Sequence, residues 1–250
     1  MIKPICSIIF FALVSNVAKA QPYLLEADSI EPKLTEVWQP EPPLVTPGNM
    51  GAAPSDAVIL FDGKSFDSWE HEDGSTPKWK IEDGAMVAVK GAGYIFSTVP
   101  HGDAQIHIEW RTPAEVVGES QGRGNSGVFL QSTYELQVLD SYDNRTYSNG
   151  QAGSIYKQTM PLVNASRGPG EWQTYDIIYH APTFASGREY EKHPYITVFH
   201  NGVLIQDHTK IQGTTPYKGP PQVNYHGKLP IKLQDHSNPV AFRNIWLRHL

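Results

Sequence analysis

From Ala57 onward the chain is a succession of short runs rich in β-forming residues, and this limits its fold more than any other feature. AVILF (57–61), MVAVK (86–90) and YIFST (94–98) come first. AQIHIEWR (104–111) alternates strictly, with Ile106, Ile108 and Trp110 on one face and Gln105, His107, Glu109 and Arg111 on the other. GVFLQ (127–131), YELQVL (134–139), YDIIYH (175–180), YITVFH (195–200), VLIQDH (203–208), IKLQ (231–234) and VAFRNIWLR (240–248) continue the series. Asn201-Gly202 lies between two of these runs and marks a hairpin, because a tight β-turn needs residues that tolerate positive φ. No long stretch carries a helical period. About a dozen strands in roughly 195 residues, punctuated by Gly, Pro and Asn, predict an all-β fold of two packed antiparallel sheets.

The segment before these runs has a different character. MIKPICSIIFFALVSNVAKA (1–20) has a basic start, a short apolar run and an A-x-A ending, the pattern of a secretory signal cleaved after Ala20. The apolar run from Ile5 to Val14 is too short to span a bilayer, so no membrane insertion is expected after cleavage. Residues 21–55 hold seven prolines and little periodicity, which predicts an extended leader or linker before a folded domain at 56–250. Without Lys3 and Lys19 the chain keeps 18 Lys and Arg against 26 Asp and Glu, a net charge of −8. That balance argues against nucleic acid or an anionic membrane surface as partner. The one cysteine, Cys6, lies in the signal, so the exported chain has no disulfide, thiolate metal site or Cys nucleophile.

Period-two parity gives the polar residues a place. In YELQVLD, Glu135 and Gln137 point to one side, about 7 Å apart, opposite Leu136 and Val138. Lys232, Gln234 and His236 share a face opposite Ile231 and Leu233 if the strand stays regular. A carboxylate such as Glu135 can act as acid, base or nucleophile; it can equally be one of the polar groups that keep a strand soluble. A retaining glycosidase needs two carboxylates about 5 Å apart, and here the second position is Gln. Asp140 closes the strand on the other parity. RGNSGVFLQ (123–131) places Arg123 and Asn125 among glycines that let backbone approach a ligand; a plain bulge or turn has the same composition. GSIYKQ (153–158) offers Tyr156 for stacking on a sugar ring and Lys157 for a hydroxyl or an oxyanion. LQDHSNPVAFRNIW (233–246) is the densest cluster: His236 can be a base at neutral pH, and Asp235 with Arg243 can be a hairpin ion pair. The ten histidines are scattered, without metal-site spacing, and HEDG (71–74) supplies too few ligands.

LFDGKSFDSW (60–69), WKIEDG (79–84), IEWR, GNSGVF, YELQVLD, GSIY, GEWQTYDI, HNGV and LQDHSNPVAFRNIW occur in one order over about 60–250, and in this the chain resembles the 3-keto-disaccharide hydrolase domain family. The resemblance implies a concanavalin A-like jelly-roll sandwich and a secreted or periplasmic enzyme acting on sugars oxidised at C3. Such a sugar can be cleaved by β-elimination and hydration, which needs a base near C2, stabilisation of an enolate and a donor to the leaving oxygen. On the matching positions, Glu135 or His236 would be the base. Arg123, Lys157 or a divalent cation would stabilise the enolate. Asn125, Gln137, Asp140, Tyr156, Gln234 and Arg243 would complete substrate binding. Two rivals remain at this level. One is an ordinary glycoside hydrolase using Glu135 with Glu109 or Asp140; the other is a non-catalytic carbohydrate-binding module.

Overall fold

The computed structural model describes residues 31–49 and 51–250. The signal expected at 1–20 lies outside the described residues, as does the start of the leader. The chain divides into two units, Met1–Leu44 and Val45–Leu250. In the first, the described part contains a 3-10 turn at Pro32–Thr35, where proline pre-sets φ and no side chain caps the turn. No helix among the described residues is long and apolar enough to cross a membrane.

The second unit is built from strands. In chain order they are β1 (Val58–Phe61), β2 (Trp69–Glu70), β3 (Lys80–Glu82), β4 (Ala85–Val87), β5 (Ile95–His101), β6 (Ala104–Arg111), β7 (Ser126–Leu130) and β8 (Tyr134–Val138), then β9 (Gln173–His180), β10 (Thr183–Phe184), β11 (Tyr190–Lys192), β12 (Tyr195–His200), β13 (Val203–Lys210), β14 (Leu229–Leu233) and β15 (Ala241–His249). One large sheet has the order β13-β12-β9-β6-β15-β4-β3, with β1 also paired to β15. A five-stranded sheet runs β2-β5-β14-β7-β8, and β10-β11 form a separate hairpin. The pairings within the large and five-stranded sheets are antiparallel. The fold is therefore the all-β jelly-roll sandwich expected, and the Asn201-Gly202 turn joins β12 to β13 with φ of +52° and +79°, both in the region a tight hairpin needs.

Alternation decides what enters the core. The large sheet contributes Ile106, Ile108, Ile177, Val198, Phe242 and Leu247, and the five-stranded sheet Ile95, Val128, Leu136, Val138, Ile231 and Leu233, all fully or almost fully buried. Each such side chain is worth roughly 1.5–3 kcal/mol of burial. Two buried tyrosines also bond toward the smaller sheet. Tyr175 on β9 donates to the Gln137 carbonyl at 2.8 Å, and Tyr179 to Gln131 Oε1 at 2.8 Å. A buried phenol needs such a partner, and the first bond holds β8 in place from below.

Burial does not alternate everywhere: β7 and β8 are buried throughout, and β6 carries a buried histidine. His107, on the polar parity of β6, is buried, because Trp246 stacks on it at 5.4 Å and Gly51 lies against its ring. The Gly51 carbonyl accepts from Trp246 Nε1 at 2.8 Å and Asn244 Nδ2 at 3.0 Å. A Cβ at Gly51, whose φ is +81°, would lie 3.0 Å from the His107 ring.

Candidate active site

Glu135 and Gln137 project from the outer face of β8, while Tyr134, Leu136 and Val138 fill the core beneath them. The free edge of β8 is covered by the GSIY segment. Gln137 N–H donates to the Ser154 carbonyl (3.0 Å), Gly153 N–H to the Gln137 carbonyl (2.9 Å) and Tyr156 N–H to the Glu135 carbonyl (3.1 Å). These bonds fix the backbone that carries both side chains.

Register then aligns a row across the sheet. Glu135 is opposite Phe129 on β7, Phe129 is opposite Lys232 on β14, and Lys232 is opposite Phe96 on β5. The Lys232 ammonium lies 3.9 Å from the centre of the Phe129 ring and 5.3 Å from that of Tyr94. The next row pairs Gln137 with Gly127. A Cβ at Gly127 would meet Glu135 Oε1 at 2.6 Å and Phe129 Cε2 at 2.9 Å, so the acid lies over a position only glycine leaves open.

Glu135, Gln137, Phe129 and Lys232 line a cavity of about 380 Å³ with Tyr94, Asn125, Tyr156, Thr215, Tyr217, Gln234 and His236. Glu135 is 6 % exposed, and burial raises its pKa to about 8 against the opposing pull of Lys232. Burial likewise lowers the pKa of Lys232, opposed by Glu135 and Glu72. Gln137, with its amide nitrogen turned toward two acceptors, donates to Glu135 Oε1 (3.1 Å) and the Ser126 carbonyl (3.0 Å). The Glu135 amide donates to Thr215 Oγ1 at 3.2 Å. Tyr156 and Tyr147 share a hydroxyl–hydroxyl bond of 2.7 Å, and burial raises the pKa of both. Asn125 donates to the Gln121 carbonyl at 2.7 Å. Gln234 Oε1 is buried with no partner among the described residues. His236 is exposed at the rim. Its neighbour Asp235 accepts from Gly93 N–H (3.1 Å) and Ser237 N–H (2.8 Å), tying the Tyr94 and His236 walls together.

The cleft thus gathers Glu135, His236, Asn125, Gln137, Tyr156 and Gln234. Four expected members lie elsewhere. Arg123 and Asp140 pair with each other at 2.7 Å in a separate depression with Gly124 and Asn238. Asp140 follows the strand on the opposite parity, so its side chain leaves the cleft face. Arg243 belongs to β15 in the large sheet, where it binds Glu109 at 2.6 Å and lies 4.0 Å from the Trp172 ring. It makes no pair with Asp235. Lys157 borders the cleft, but its ammonium donates to the Tyr217 carbonyl at 2.6 Å. Neither Glu109 nor Asp140 lines the cavity, so among the described residues Glu135 is the one carboxyl lining it. No group of three or more His, Cys, Asp or Glu placed to hold a metal ion occurs among the described residues.

Sequence reasoning missed Tyr94, Phe129, Thr215, Tyr217 and Lys232 as site residues. Lys232 shares parity with Gln234, and an outward Phe129 follows from pairing GVFLQ with YELQVL, so both were open to inference. Tyr94 stands just before β5, at the head of the run YIFST, and Thr215 and Tyr217 lie on a loop, which carries no period to read.

A two-sheet antiparallel sandwich bearing a polar cleft with aromatic walls defines a carbohydrate-active protein of the concanavalin A-like class. Residues 56–248 match the family model of the 3-keto-alpha-glucoside-1,2-lyase-like domain, and the chain belongs to this family, the one its motifs resemble. It is 52 % identical to a candidate glycosyl hydrolase of Parabacteroides distasonis ATCC 8503, with a TM-score of 0.86 over 88 % of this chain and 97 % of that one. A second structure from the same organism, also a candidate glycosyl hydrolase, is 20 % identical with a TM-score of 0.55 over 78 % of this chain and 94 % of its own, which speaks to the fold alone. No curated protein matches the chain.

Proposed function

We propose that the protein is an exported enzyme that cleaves the glycosidic bond of 3-keto-glycosides by β-elimination and hydration. The observation that carries this reading is one buried carboxyl, Glu135, set two strands from one partly buried cation, Lys232, in a cleft lined by no second carboxyl among the described residues. Ordinary glycoside hydrolysis uses two carboxyls flanking the bond. A ketone at C3 removes that need, because it acidifies the proton on C2. A base takes that proton, and the electron pair enters an enolate spread over C2, C3 and the ketone oxygen. The enolate expels the glycosidic oxygen from C1 and leaves an enone. Water adds at C1, C2 regains a proton and the ketone is restored, so the net change is hydrolysis.

Each step has a group suited to it. Lys232 stabilises the negative charge that develops on the ketone oxygen. Glu135, whose pKa of about 8 keeps it protonated at neutral pH, gives a proton to the departing oxygen and afterwards takes one from the entering water. His236 at the rim takes the C2 proton and returns it. Asn125, Gln137, Tyr156 and Gln234 bind hydroxyls, and Gln234 Oε1 gains the donor it lacks. Export rests on the signal sequence at 1–20.

The test is incubation with 3-keto-glucosides beside their unoxidised parents, with products followed by mass spectrometry. Cleavage confined to the ketones, with a rate that falls above about pH 8 as Glu135 loses its proton, is the expected result. Equal cleavage of the parents would return the site to ordinary hydrolysis. Binding of both without cleavage would make the domain a carbohydrate-binding module.

A further inference from the structure

Lys157 has the residue type of a substrate ligand but the contacts of a fastener. Its Nζ donates to the Tyr217 carbonyl at 2.6 Å and lies 4.2 Å from the centre of the Tyr217 ring. The rings of Tyr147 and Tyr156 stand 5.5 and 5.7 Å away. A cation among three tyrosine faces, bonded to a carbonyl, is held by both attractions at once. The backbone also points to a specific placement. Lys157 has φ of +57°, a region unfavourable to a residue with a Cβ, and such a conformation persists where its surroundings over-determine it. Its amide donates to the Asn149 carbonyl at 2.8 Å.

The next residue grips the same loop from the other end. Gln158 Nε2 donates to the carbonyls of Gly213 (2.9 Å) and Thr214 (3.1 Å), and its Oε1 accepts from Gln212 N–H (2.8 Å). Between these grips lies Thr215, which receives the Glu135 amide. Tyr217 is 68 % exposed, and the Lys157 bond to its carbonyl is the one side-chain hydrogen bond it makes among the described residues.

We infer that Lys157 is a positioning residue: it latches segment 212–217 against the cleft and so holds Tyr217 as a wall for the sugar ring. This rests on the reading of the cleft as a sugar site. Lys157 acts on the ligand through Tyr217 and leaves the enolate to Lys232.

The experiment compares Lys157→Met, which keeps the stem, with Lys157→Arg, which keeps charge and donors, in the full exported chain. Lys218, exposed beside Tyr217, provides a trypsin site that reports opening of the segment. Loss of one charge-assisted bond raises the open population, so native-state cleavage after Lys218 should quicken about tenfold in Lys157→Met and stay near wild type in Lys157→Arg. Affinity for an unoxidised glucoside, measured by calorimetry, should fall several-fold in the Met variant only, while kcat on a 3-keto-glucoside holds. Unchanged cleavage after Lys218 in Lys157→Met would overturn the latch. So would a collapse of kcat with cleavage and affinity unchanged, since Lys157 would then touch the reacting atoms. If no 3-keto-glycoside reacts, the proposed reaction fails, and cleavage after Lys218 still decides the latch.

Discussion

Glu135→Gln replaces one carboxyl oxygen by an amide nitrogen in a side chain that is 6 % exposed. The native pKa of this group is raised by burial from 4.5 to about 8. Between those values the folded chain keeps a proton that the unfolded chain has released, so wild-type stability falls as pH rises. Each pH unit in that interval costs about 1.4 kcal/mol, and by pH 8 the sum is on the order of 4 kcal/mol. Gln has the same shape and never ionises, so the variant escapes this loss. For a domain of this size, 1 kcal/mol corresponds to about 2–4 °C in Tm, which puts the variant roughly 10 °C above wild type at pH 8.5. At pH 4.5 the two proteins should melt together. Calorimetry at both pH values reads this directly, and turnover of a 3-keto-glycoside should drop about 10²–10⁴-fold in the same variant. A Tm difference that is the same at both pH values would refute the argument, because the effect would then be packing and not ionisation. Full activity in the variant would remove Glu135 from the chemistry.

Gly127→Ala should fold, since the groups it meets are the movable ends of Glu135 and Phe129, but the displaced carboxyl should lower kcat about 10²-fold; an unchanged kcat would show that the acid need not lie there. Lys232→Met keeps the stem over Phe129 and removes the charge, so kcat should fall about 10²–10³-fold, and the pKa of Glu135 should climb further, read as a basic shift in the pH–rate limb. On the opposite face, burial alone would lower the pKa of His107, but its bond to Asp176 (2.6 Å) and the Glu109 carboxylate 3.7 Å from its Nε2 outweigh that and raise it to about 9. A raised histidine stabilises the fold below pH 6.5 and loses that contribution as pH rises through 9. Asp176→Asn should therefore flatten stability across that interval, checked by melting curves and by NMR titration of the imidazole.

How much of this was legible follows from what alternation encodes. Period two assigned Leu136, Val138, Ile231 and Leu233 to the core and Glu135, Gln137 and Gln234 to the other side, because in a half-buried strand each side chain has one of two faces. Parity does not say which sheet a strand joins. Glu109 and Arg243 are outward residues in good alternating runs, but β6 and β15 belong to the large sheet, so they meet each other and not Glu135. Nor does parity survive the end of a strand. Asp140 and Arg123 stand beyond the last paired residues of β8 and β7, where the chain turns away and pairs them together. The loop walls were unreadable for a further reason. Tyr217 is held by a lysine 60 positions away, and nothing local distinguishes it from any exposed tyrosine.

What marks the site in the folded molecule is a concentration of unfavourable features. Glu135 is ionisable and buried. Gln234 carries a buried acceptor without a partner, which costs about 1–3 kcal/mol. Lys232 is a partly desolvated cation, and Lys157 has a left-handed backbone. Gly127 weakens a strand interior to leave room for a carboxyl. None of these is required by a β-sandwich, whose core is apolar and well filled without them. Single costs of the same kind occur elsewhere, as at the buried Trp110 Nε1 and the left-handed Asn244 of the large sheet, but these five fall together on β7, β8, the end of β14 and the segment beside β8, around one cavity. A ligand removes several of these costs together: a hydroxyl satisfies Gln234, an enolate neutralises Lys232, and a departing oxygen takes the proton from Glu135. The binding of a 3-keto-glycoside should therefore stabilise the wild-type fold more at pH 6 than well above pH 8, where Glu135 has lost the proton it offers the glycosidic oxygen; stabilisation that does not change across that interval would mean that Glu135 plays no part in holding the sugar.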